Sequence, residues 1–218
     1  MKETKAVIFD MDGLIIDSEP YWRLAMIEVF NSLGFIATEE MCAATTGLRI
    51  DEVVELWYQN KPWQLKSKEQ VCNEIIESVC SHISSKGVAM EGFFEVLEML
   101  HKTKLQIALA SSSAQIIIHT VLKRLQIQDS FQVICSGEEV SHGKPHPAIF
   151  IETAQRLNTL PRHCTVFEDS IFGMIATKSA HMHSIVVPEP SNYENEKFAL
   201  ADIKLRSLKD FKLDMIRL

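Results

Sequence analysis

Two rhythms of apolar residues run along the chain. Residues 5–10, Lys-Ala-Val-Ile-Phe-Asp, form a short continuous apolar run closed by a carboxylate, which predicts a buried strand. From about residue 20 to 86 the rhythm is helical. Trp22, Met26, Val29, Phe30 and Leu33 recur on one face, and Gly34 supplies a stop. Val53, Val54, Leu56 and Trp57 predict a second helix. Ser67 with Gln70 predicts a capping box opening a third, its inner face carrying Val71, Ile75, Ile76 and Val79. After Gly92 helix and strand alternate: helices near 93–102, 114–125, 147–157 and 172–179 precede strands near 105–111, 132–136, 164–169 and 184–187. Asp202–Leu205 closes the series. This alternation predicts an α/β, Rossmann-like, doubly wound parallel sheet core. Its first strand lies before the helical block and the others after it, so the block reads as an inserted all-helical cap. The expected division is residues 1–16 and 88–218 for the core and 17–87 for the cap.

Composition narrows the function classes. The 218 residues are 46% hydrophobic and 23% charged, too apolar for a disordered chain. A net charge of −7 argues against a nucleic-acid partner, which needs a basic surface. No apolar run reaches the length of a spanning helix and Met1–Lys5 lacks a signal peptide's apolar stretch, so no membrane partner is expected. The five cysteines, at 42, 72, 80, 135 and 164, show no CxxC spacing and fit a reducing cytoplasm. A cytoplasmic monomer is the expectation.

In open parallel sheets ligands sit beyond the carboxyl ends of the strands, so the polar residues closing each apolar run carry the chemistry. These are Asp10-Met11-Asp12-Gly13, Ser111-Ser112-Ser113 and Glu168-Asp169-Ser170, with Gly143-Lys144-Pro145-His146-Pro147 between the last two. Two carboxylates held close repel unless a cation lies between them. Asp10 and Asp12 with Asp169 and Glu168 form an all-oxygen set suited to Mg2+. Lys144 adds a point charge for phosphate oxygens, Ser111 a hydroxyl donor, and the backbone N–H groups near Ser112 an anion-binding end. The set favours phosphoryl transfer, with Asp10 as nucleophile and Asp12 as general acid and base.

In order and spacing, Asp10-x-Asp12-Gly13-x-x-x-Asp17-Ser18, Ser111, Lys144-Pro145 and Glu168-Asp169-Ser170 resemble the four motifs of the haloacid dehalogenase superfamily. The resemblance covers essentially the whole chain, cap included. It implies a phosphatase working through an aspartyl-phosphate, with Mg2+ held by Asp10, the Asp12 backbone carbonyl and Asp169. Gly47-Leu48-Arg49, Asp51, Leu56-Trp57-Tyr58 and Pro62-Trp63 are similar to the branch of hexose and hexitol phosphatases, which also contains the β-phosphoglucomutase type. Arg49 is the cap candidate for gripping substrate, and Trp22 for stacking on a sugar or polyol carbon chain. Trp22 stands where the mutase carries a histidine, and Ala114-Gln115 where it carries a lysine after the motif-two serines. Both departures favour a monophosphatase of a small phosphorylated substrate over a phosphosugar mutase. A phospho-acceptor signalling domain is the remaining alternative, although such domains have about half this length and no cap.

Overall fold

The computed structural model describes residues 3–216. Strand β1 (Ala6–Phe9) is followed by four helices: α1 (Glu19–Ser32), α2 (Glu39–Ala44), α3 (Ile50–Asn60) and α4 (Lys68–Lys86). Then come α5 (Phe93–His101), β2 (Gln106–Ser111), α6 (Gln115–Leu125), β3 (Val133–Ser136), α7 (Ala148–Arg156) and β4 (Cys164–Glu168). Helix α8 (Ile171–Ser179), β5 (His183–Val186) and the two-residue β6 (Ile203–Lys204) complete the series. The strands form one parallel sheet in the order β3-β2-β1-β4-β5-β6.

The continuous apolar runs conceal an alternation that the sheet makes visible. Val7, Phe9, Ile107, Leu109 and Phe167 face one layer, with Phe93, Val96 and Leu97 of α5 and Ile117, Ile118 and Val121 of α6. Ala6, Ile8, Ala108, Ala110 and Val166 face the opposite layer, against Ile149 and Phe150 of α7 and Ala176 of α8. A sheet buried on both faces needs apolar residues at every position, so period two is invisible in the sequence.

The helical insertion leaves the sheet at Ile16 and returns at Ala89, where the two segments pair antiparallel. Its own core is aromatic. Phe30 packs on Trp57 with ring centres 4.5 Å apart, and Phe35 stacks on Trp57 at 5.6 Å. Trp63 tilts edge-on to Phe30. The capping box of α4 forms as the sequence predicts: the Gln70 N–H donates to Ser67 Oγ at 3.1 Å and the Ser67 N–H to Gln70 Oε1 at 2.8 Å. Helix α2 was not foreseen. Its six residues bury only Cys42, too little for a readable period, and its signature is the N-cap Thr38, whose hydroxyl accepts the Met41 N–H.

Candidate active site

Strand order reverses between β1 and β4, and a crevice opens where neighbouring connections diverge to opposite faces. Register then fixes what the crevice contains. Phe9 pairs with Leu109 on one side and Phe167 on the other, so Asp10 and Glu168 emerge side by side with Ser111 at the same edge. This convergence follows from strand lengths and pairing alone.

Lys144 is 2% exposed and reaches this floor from the loop before α7. Its Nζ donates to Asp10 Oδ1 at 2.6 Å and to Glu168 Oε1 at 2.5 Å. Burial opposes the charge on Lys144, but the two carboxylates outweigh it and raise the pKa above the ordinary lysine value. Burial pushes Asp10 up to about 8; Lys144 pulls it down, while Glu168 and Asp12 push it up. Asp169, 8% exposed, is raised well above the usual carboxylate range by burial first, then by Glu168 and Asp10. Three buried carboxylates share one lysine, and that surplus of negative charge calls for a further cation.

The residues fit Mg2+ on that ground and on geometry. Oxygens of Asp10, Glu168 and Asp169 lie within 4.8 Å of one another. Gly13, at φ +73°, lets the Asp169 carboxylate come close: a Cβ there would sit 2.2 Å from Oδ2. Glu168, expected among the metal ligands, has both oxygens engaged by the protein. Oε1 holds Lys144; Oε2 accepts the Asp169 and Ser170 N–H groups and the Ser170 hydroxyl, each at 2.9 Å. Asp10 and Asp169 are the carboxylates of the three left facing the crevice.

Asp12 is gripped from both layers of the molecule. Ser18 Oγ donates to Oδ1 at 2.6 Å and the Trp22 indole N–H to the same oxygen at 2.9 Å. Ser113 Oγ donates to Oδ2 at 2.7 Å, with Ser111 Oγ at 3.3 Å. Trp22 therefore lines the pocket with its polar edge turned to Asp12. Ser18 and Ser113 belong to motifs that the sequence singles out, but their shared role as donors to Asp12 is visible only in the structure. Ser18 sits at the N-cap of α1 without capping it, and its hydroxyl goes to Asp12 instead.

Above the carboxylates the cap closes a cavity of about 550 Å³, solvent at its mouth included, the size of a small-molecule site. Ser111, Ser112 and Lys144 lie on its sheet side; Trp22, Met26, Leu48, Ile50 and Val53 form its cap side. Glu19, on the first turn of α1, also faces it and accepts the Thr46 hydroxyl at 3.3 Å. Burial, then Asp12, raises Glu19 to about 7. Arg49 does not line this cavity. Its Nε and Nη2 donate to Asp51, and its Nη1 to the Val140 carbonyl at 3.0 Å.

A family profile described as haloacid dehalogenase-like hydrolase matches residues 7–187. The chain belongs to this family and is a phosphoric monoester hydrolase. It is 40% identical over 210 residues to hexitol phosphatase B of Escherichia coli K12, covering 96% of this chain and 95% of the relative. It is 28% identical to β-phosphoglucomutase of Bacillus subtilis, covering 97% of this chain and 93% of the relative. The crystal structure of β-phosphoglucomutase from Clostridium difficile superposes with a TM-score of 0.85 at 27% identity, over 97% of this chain and 94% of that one.

Proposed function

We propose that the protein is a cytoplasmic, Mg2+-dependent phosphatase of small sugar or sugar-alcohol phosphates, acting through an aspartyl-phosphate on Asp10. The observation that carries this reading is the cavity itself: nucleophile, lysine and serines on the sheet side, and a mixed apolar and polar cap wall (residues 17–87) over them. The relatives named hexitol phosphatase B and, in Thermotoga maritima, phosphorylated carbohydrates phosphatase support the substrate class.

Asp10 attacks phosphorus; the phosphorus–oxygen bond to the sugar breaks, and the leaving oxygen takes a proton from Asp12. Asp12 then removes a proton from water, which attacks the aspartyl-phosphate, releasing phosphate and restoring Asp10. Lys144, Ser111 and the backbone at Ser112 hold phosphoryl oxygens, and Glu168 aims Lys144. Asp10, the Asp12 backbone carbonyl and Asp169 would hold Mg2+, which when bound would neutralise charge at the phosphoryl group. Lys144 is the single Lys or Arg among the lining residues. That favours a substrate with one phosphate over the bisphosphate a mutase must hold. Every residue given a role above comes from one chain, which supports a monomer.

The test is phosphate release from a panel of hexose and hexitol 6-phosphates with and without EDTA, alongside Asp10→Asn. Full activity of Asp10→Asn would overturn the nucleophile. Conversion of a hexose 1-phosphate to the 6-phosphate faster than phosphate release would replace the phosphatase by the mutase.

A further inference from the structure

We infer that Arg49 and Glu52 are positioning residues that dock the cap on the catalytic loops, and that the docked cap holds the Gly143–Lys144 backbone in place. The segment from Thr45 to Glu52 runs from the end of α2 into the first turn of α3 and meets three loops of the sheet domain. Ser112 Oγ donates to the Gly47 carbonyl at 3.0 Å. Gly47 has φ +87°, and a Cβ there would lie 2.7 Å from Ser170 Oγ, so this backbone is pressed against the loop after Asp169. Arg49 reaches the Val140 carbonyl at 3.0 Å, and the Gly143 N–H donates to Glu52 Oε1 at 3.1 Å.

Backbone geometry decides which way Arg49 faces. At φ −72° and ψ 146° the chain is extended, so neighbouring side chains point to opposite sides. Leu48 and Ile50 enter the cavity, and Arg49 is sent the other way, onto the sheet domain. Asp51 then grips the guanidinium through two hydrogen bonds, Nε to Oδ1 at 3.0 Å and Nη2 to Oδ2 at 2.6 Å. Glu52 completes the unit: one oxygen accepts the Arg49 N–H at 3.3 Å and the other takes the Gly143 N–H, one residue before Lys144. A carboxylate fixing that peptide also fixes the root of the lysine, so a closed cap steadies Lys144 from outside the pocket. Among the described residues that line the cap side of the cavity there is no Lys or Arg, so a second anionic group on a substrate meets no counter-charge from them.

Only the kinetic arm of the test rests on the phosphatase reading. Hydrogen exchange of residues 137–147 in substrate-free protein is the first measurement. Glu52→Ala and Arg49→Met should speed exchange in that segment about tenfold, the loss of one charge-assisted hydrogen bond, while α4 keeps its protection. Glu52→Gln, which retains an acceptor, should restore most of it. In the kinetic arm both variants should lower kcat about tenfold with KM within about twofold, and leave the ratio of kcat/KM between hexitol monophosphates and hexose bisphosphates unchanged. Unchanged exchange at 137–147 in Arg49→Met with α4 intact would overturn the proposal. So would a KM rising for the bisphosphates alone, which would return Arg49 to the substrate. If Glu52→Ala loosens α4 itself, Arg49→Met decides the question alone.

Discussion

The Lys144 site offers the sharpest test of how this crevice is held together. Lys144→Met keeps the volume and the aliphatic stem but removes the only positive charge between Asp10 and Glu168, which it contacts at 2.6 and 2.5 Å. All three side chains are nearly shut off from solvent, with exposures of 1%, 8% and 0%. Removing one partner of such a buried pair leaves an uncompensated charge and costs about 3–5 kcal/mol. At 218 residues that lowers Tm by about 10 °C. The loss must also depend on pH. Asp10 carries a pKa raised to about 8 in the intact protein, and it rises further once its cation is gone. At pH 9 the variant must hold Asp10 ionised beside Glu168 without a cation or bind a proton against the bulk pH; at pH 5 Asp10 takes a proton readily, and Glu168 keeps its three donors from Asp169 and Ser170. Urea unfolding of metal-free wild type and variant at both pH values measures the difference. The expected penalty is the full amount at pH 9 and less than half of it at pH 5. A penalty below about 1 kcal/mol at pH 9, or one equal at the two pH values, would refute the view that Lys144 neutralises these two groups.

Three further outcomes follow from the same geometry. Trp22→Phe keeps the ring but deletes the N–H on Asp12; kcat should fall about tenfold with little change in KM, since three hydroxyls still hold Asp12. Steady-state phosphate release checks this, and a rise in KM alone would make Trp22 a substrate platform. Gly13→Ala forces a Cβ into Asp169 Oδ2 and strains a φ of +73°, so half-activation should need about 10–100-fold more Mg2+ in a metal titration; an unchanged requirement would remove Asp169 from the metal set. Finally, Asp10 and Asp169 bind protons more tightly folded than unfolded, where carboxyls titrate near 3.8. Their contribution to metal-free stability is therefore complete below that value and is lost as pH rises, in the case of Asp10 through about 8. Mg2+ competes for the same oxygens, so it should raise Tm by several degrees at pH 8 and hardly at all at pH 5; equal increments in a thermal-shift series would contradict the assignment.

The parts of this site that were legible in the sequence are those set by burial. A strand covered on both faces demands an unbroken apolar run, so the residue that ends it stands out, and Asp10, Ser111 and Glu168 are such residues. Their convergence needed only the rule that parallel strands open their carboxyl ends to one edge. The existence of α1, α3 and α4 was legible for a similar reason, since each buries one apolar face within the cap. What stayed hidden was direction. Glu168 and Asp169 are adjacent acids, and nothing in their order says that one is tied up by Lys144 and two amides while the other faces the crevice. Arg49 follows a cavity-lining leucine and precedes a cavity-lining isoleucine, and the order of the three does not say which way each side chain turns. Extended backbone at Arg49 turns it away from Leu48 and Ile50, and its Nη1 donates to the Val140 carbonyl of the sheet domain. Residue type and spacing thus identify which chemistry is gathered at an edge, whereas division of labour among like groups depends on single dihedral angles and donor directions. In this chain Leu48 and the first residue of α3, Ile50, face the cavity while Arg49 between them does not, so residue type alone does not show which of the three lines the pocket.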